Sequence, residues 1–178
     1  MKRFFAYPLL AVLAFTGSSI TAKESKPLPR ILIIGDSISI GYTPFVREMF
    51  QGRAEVVHNR GNAQHTGTGL EKIDSWLLDE NWDVIHFNWG LWDLCYRHPD
   101  SKNQGNRDKE QGTLTTELAD YEANLDQLVK RLKKTGARLV WGNTSFVPEG
   151  ELGRIVGDEL KYNRVASRVM KRHVIATN

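Results

Sequence analysis

Four short apolar runs, at residues 31–34, 55–58, 84–88 and 138–142, each lead into Gly, Asn, Asp or Ser, and helix-like stretches lie between them. Strands that recur with a helix in each gap pair in parallel, because a tight turn cannot join parallel neighbours and the crossover is right-handed. The pattern predicts a three-layer α/β/α sandwich around a parallel sheet. In such sheets sites form beyond the carboxyl ends of the strands, so Ser37, Gly61, Trp92 and Asn143 are expected along one edge.

The helical stretches carry their own punctuation. Thr43-Pro44 offers an N-cap with proline at the first helical position and Gly52 as a stop. Thr68 and Glu71 read as a capping box ahead of an apolar face of Leu70, Ile73, Trp76 and Leu77. The longest pattern runs through Leu114, Leu118, Tyr121, Leu125, Leu128 and Leu132 and ends in Lys133-Lys134-Thr135-Gly136. A last helix over about residues 158–172 has Tyr162, Val165 and Val169 as its stripe. Residues 98–112 form one long polar loop or insertion near the site edge.

At 178 residues with 40% hydrophobic residues the chain suits one domain with an ordinary core. Its first 22 residues read as a secretory signal peptide: Met1-Lys2-Arg3, an apolar run over 4–15, then small residues ending at Ala22. The apolar run is too short to span a bilayer, and no cysteine ends the leader to take a lipid, so no stable membrane anchor is expected. Residues 23–178 are then a soluble secreted or periplasmic domain. Loss of Lys2 and Arg3 with the leader lowers the net charge from +3 to +1, which argues against a nucleic-acid partner. Cys95 is the only cysteine, so no intramolecular disulfide can form.

The first apolar run opens straight into Gly35-Asp36-Ser37. A phosphate-cradling loop needs a lysine that Ser-Ile-Ser-Ile-Gly-Tyr does not supply, and a Gly-x-Ser-x-Gly elbow would need glycine where Ser39 stands. A turn or helix-capping serine remains the plain alternative to a nucleophile. Gly35-Asp36-Ser37, then Asn59-Arg60-Gly61-Asn62, then Gly90-Leu91-Trp92-Asp93 resemble in order and spacing the first three sequence blocks of the SGNH (GDSL) hydrolase family, over roughly residue 31 to the end. That resemblance implies a flavodoxin-like sheet and serine ester hydrolysis with Ser37 as nucleophile. It also implies an oxyanion hole made by the N–H of the serine, a second-block N–H and a third-block side-chain amide.

Three departures qualify it. Trp92 stands where the third block usually has asparagine; an indole N–H still donates, and Asn88 is the other candidate donor. Gln64 sits where glycine is common in the second block, and its backbone N–H survives the change; Gly61 and Asn62 complete that candidate wall. The family's general base is a histidine in a late Asp-x-x-His, which this sequence lacks before Asn178. The expectation is therefore an impaired enzyme whose C-terminal part is missing, truncated or frameshifted. Asp83-Val-Ile-His86 matches the spacing, but on a strand those side chains point to opposite faces about 10 Å apart. His65 is a surrogate base, a substrate contact or a solvated loop residue.

Asp36, Gly90 and Asp93 are expected to support the site without reacting. Cys95 and His98 lack a helix start or elbow to present a thiol, and no spacing suits a metal, so neither metal nor cofactor is implied. Trp89, Trp92 and Trp141 gather near the edge, as core or as a sugar platform. The expected activity is hydrolysis of acyl or acetyl esters of a small molecule or glycan. The rivals are an SGNH-shaped binding module for acylated glycans or a protein partner, and a structural exported domain whose Gly-Asp-Ser is a turn.

Overall fold

The computed structural model describes residues 26–78 and 81–178, and the leader lies outside them. In chain order the elements are β1 (Arg30–Ile34), α1 (Ser37–Met49), β2 (Glu55–His58), α2 (Thr66–Leu77), β3 (Val84–Phe87), β4 (Tyr96–Arg97), β5 (Thr113–Leu114), α3 (Leu118–Lys133), β6 (Arg138–Trp141), α4 (Asp158–His173) and β7 (Ala176–Thr177). Five strands form a parallel sheet in the order β2-β1-β3-β6-β7, while β4 and β5 make a small antiparallel pair. The α/β reading of the sequence holds.

Alternation along the strands sends side chains to two unlike faces. Leu32, Ile34, Ile85, Phe87, Leu139 and Trp141 join residues of α2, α3 and α4 in one core, including Trp76, Leu128 and Val169. On the other face α1 packs over β1 and β2. Beside it the faces of β3 and β6 stay open as a groove of about 490 Å³, floored by Ile31, Ile33, Val84, His86 and Val140 and walled by Ile38, Tyr42, Val46 and Phe50. Among the described residues the third layer is thus a single helix.

Three helix starts differ from the sequence reading, two of them because Asp93, distant in sequence, overrides a local signal. α1 begins at Ser37, capped by Asp36, and runs through Pro44. Thr43 Oγ1 donates to Ser39 O at 2.6 Å and holds the turn beside the proline. α2 begins at Thr66 behind His65, so Thr68 and Glu71 fall inside it and form no capping box. There the Asp93 carboxylate accepts from Thr66 N and Oγ1, serving as the cap. α3 begins at Leu118, since Leu114 is drawn into β5 and Thr116 N donates to Asp93 O.

The 98–112 segment is more structured than a polar loop. It contains a 3-10 turn at Gln104–Asn106 and a bridge from Arg97 to Arg107, and Arg107 is tied to Glu151 at 2.7 Å. The end of the chain also pairs more than its length suggests. Ala176 and Thr177 lie opposite Val140 and Trp141 and pair part of the edge of β6.

Candidate active site

Gly35-Asp36-Ser37 is the turn from β1 into α1. Asp36 caps the helix: its Oδ1 accepts from Ile38 N at 2.9 Å. Burial pushes the Asp36 carboxyl above its usual range, against the pull of the Ile38 N–H and of Arg154, so it braces the turn as a buried cap. A Cβ at Gly35 would lie 2.6 Å from Ser39 Oγ, so a larger residue there would displace that hydroxyl. Ser37 follows as the first helical residue, with an exposed side chain. Neither its hydroxyl nor its backbone N–H has a hydrogen-bond partner among the described residues.

The end of β2 is pinned to this turn. Asn59 Oδ1 accepts from Gly35 N at 3.0 Å, and Ala63 N donates to Gly35 O at 3.1 Å. Gly61 has φ +72° and Gln64 φ +51°, so Gln64 holds the left-handed conformation that favours glycine. Its N–H points to Asn62 Oδ1 at 2.8 Å. That amide oxygen occupies the direction from which an anionic oxygen could accept.

The third stretch follows β3. Asn88 lines the groove with Asp36 and Ser39, and its Nδ2 donates to Gly142 O at 2.6 Å. Gly90 has φ +148°, and a Cβ there would meet Thr144 at 2.9 Å. Trp92 is half-buried, with the Arg97 guanidinium 4.4 Å from its ring centroid. Asp93 is wholly buried and joins this stretch to α2 through Thr66; its Oδ2 meets no partner. Arg154 Nε donates to Leu91 O at 2.6 Å and brings a cation to the same edge.

No histidine touches Ser37. His65 sits at the start of α2 with Nε2 3.3 Å from Thr68 Oγ1, and His98 accepts from Asp100 N. His173 pairs with Asp126 at 2.7 Å, and His86 lies in the groove floor beside Asn178. His58 is the residue that sequence reasoning missed. Its Nε2 is 2.7 Å from Ser39 Oγ and its Nδ1 is 2.7 Å from Asn59 O. Only the period-two placement of His58 on the face shared with Val56 could have hinted at this. Burial keeps the His58 pKa below its usual value.

The remaining candidates are accounted for by packing. Trp89 and Trp141 are core residues, with Trp89 Nε1 donating to Ala63 O. Cys95 is buried and its thiol is pushed up by that burial. Among the described residues no three His, Cys, Asp or Glu side chains are grouped to hold a metal, and no helix is long and apolar enough to cross a membrane.

No protein-family model and no curated protein matches the sequence closely. Solved structures do match. The acetyl xylan esterase AlAXEase superposes with a TM-score of 0.64 at 14% identity, over 83% of this chain and 75% of that one. The lipase/acylhydrolase from Enterococcus faecalis gives 0.64 at 17% identity, over 84% and 75%. A GDSL-like lipase from Bacteroides thetaiotaomicron gives 0.59 at 14% identity, over 86% and 70%. Through these likenesses, the chain has the fold of the SGNH hydrolases.

Proposed function

We propose that the chain is an exported serine hydrolase of carboxylic esters, with Ser37 as its nucleophile. The observation that carries this reading is the exposed Ser37 hydroxyl, standing without a partner at the first residue of α1 beyond the carboxyl end of β1. Ser37 Oγ gives its proton to water and attacks the acyl carbonyl carbon; collapse of the adduct expels the alcohol, which takes a proton from water, and a second water then hydrolyses the acyl-serine. In the adduct the carbonyl oxygen, turning anionic, is held by the free N–H of Ser37 and by the N–H of Gln64 once Asn62 Oδ1 yields its place. Asn88, through its second amide hydrogen, or Trp92 is the third donor. Asp36, Gly90 and Asp93 shape the walls. The substrate is an acyl or acetyl ester of a small molecule or glycan, in keeping with the printed names of the solved neighbours.

A serine hydroxyl needs a base, and among the described residues none reaches Ser37. Turnover of p-nitrophenyl acetate is therefore expected to be feeble, since loss of a triad base costs on the order of 10⁶ in kcat. Imidazole supplied as an external base should raise turnover above the buffer background in the wild type and leave Ser37→Ala unmoved. Equal turnover of the wild type and Ser37→Ala with imidazole present would sink the reading. The same absence of a base favours the second reading, a binding module of this shape for acylated glycans or a protein. Export is checked separately: protein recovered from periplasm or medium should begin near Lys23.

A further inference from the structure

Three guanidinium groups gather on the segments that follow β3 and precede α4. Arg97 comes from β4, Arg107 from the end of the 3-10 turn and Arg154 from the loop before α4. Glu151 serves two of them: its Oε1 accepts from Arg107 at 2.7 Å and from Arg154 at 2.9 Å. Asp108, next to Arg107, turns its Oδ1 to the N–H groups of Glu110 and Gln111. Among the described residues no carboxylate pairs with Arg97.

Arg97 is nevertheless held in place. Its guanidinium lies 4.4 Å from the centroid of the Trp92 ring, and its Nη1 donates to Gly105 O. Both partners orient the group and neither cancels its charge. Nε and Nη2, the donors on the other edge of the fork, have no acceptor among the described residues and stay open to solvent. That edge can meet a carboxylate with two parallel hydrogen bonds.

Its neighbours put Arg97 at the candidate site. Trp92 belongs to the third stretch of the site edge. Burial chiefly lowers the pKa of His65, the residue after Gln64, and the charge of Arg97 adds to that lowering against the pull of Glu71. Arg154 stands at the same edge, bonded to Leu91 O and close enough to draw on the Asp36 carboxyl. A ligand that reaches Ser37 therefore meets a rim on which guanidinium groups outnumber carboxylates.

We propose that Arg97 determines substrate specificity: the site takes an ester that carries a carboxylate away from the scissile bond, bound by Arg97 Nε and Nη2 beside the Trp92 ring. The carboxylate belongs to the acyl group or to the alcohol, acidic sugars being one such alcohol. This rests on the reading of the Ser37 edge as an ester site.

Binding to the Ser37→Ala protein, which lacks the proposed nucleophile, provides the test, read from the indole N–H resonance of Trp92. Titrating p-acetoxybenzoate against its methyl ester puts the carboxylate on the alcohol, and monomethyl adipate against dimethyl adipate puts it on the acyl group. At low salt the acid of at least one pair should bind about tenfold more tightly than its neutral partner, and that pair names the side. High salt should erase the preference. Arg97→Gln should bring the pair to equal affinity, whereas Arg97→Lys, which keeps a cation, should retain part of the difference, so the loss cannot be put down to a loosened segment. Equal affinities within both pairs, or a preference that neither salt nor Arg97→Gln reduces, overturns the proposal. The ester-hydrolase reading is judged apart, by imidazole-supported turnover. Preference for the acid without turnover above Ser37→Ala sinks the hydrolase and upholds the anion site; turnover of acid and neutral ester alike, with equal affinities, does the reverse.

Discussion

Asp93 shows how far one side chain carries this edge of the molecule. It takes two hydrogen bonds from Thr66 on one oxygen and none on the other, with no exposure to solvent. Burial pushes its carboxyl up to about 6, against the pull of the Thr66 and Thr116 contacts. The unfolded chain takes up that proton only near 3.8, so between about pH 4 and pH 6 the folded state binds the extra proton. This contribution to stability is complete below pH 4 and is lost as pH rises through 6, by about 3 kcal/mol for a shift of this size. Urea denaturation across that window should show the decline in the wild type, and Asp93→Asn should flatten it. Asp93 itself was legible from Gly-Leu-Trp-Asp, and so was Ser37 from Gly-Asp-Ser. The bond between His58 and Ser39 was not, because it depends on how α1 settles on β2, which neither local run encodes.

At the scale of elements, the strands were easier to read than the helix starts. Strand ends are written in adjacent residues, where an aliphatic run stops at Gly or Asn. The start of α2 is fixed from afar: Asp93 caps it across 27 residues. Pro44 misled for a related reason. It suits a first helical position, yet Asp36 starts α1 seven residues earlier, and the chain tolerates proline within the helix. The cost is the missing N–H that would have bonded the Ile40 carbonyl, on a residue 45% exposed and so open to water. Replacing Pro44 with Ala should restore that bond and raise stability by about 1–2 kcal/mol, net of the greater freedom of the unfolded chain. Thermal and chemical melts will check this; a loss of stability would show that Pro44 serves the turn.

For the whole molecule, alternation of strand and helix was enough to give the parallel sheet and the edge that holds the candidate site. The unequal cover of the two faces was not legible, because the pattern counts helices without saying which side each crossover takes. The three stretches along the site edge were read separately, and the fold joins them. Gly35 N is held by Asn59, Ala63 N by Gly35 O, and Thr66 N by Asp93. Such tethers have a kinetic signature. In hydrogen–deuterium exchange the amides of Gly35, Ala63 and Thr66, all outside strands, should open as rarely as those of Leu32 or Ile85, whereas those of Lys102 and Glu149 should exchange at once. Slow exchange at all three before any ligand is added would mean that a bound ester meets an edge already set, with little ordering of the chain left to oppose its capture.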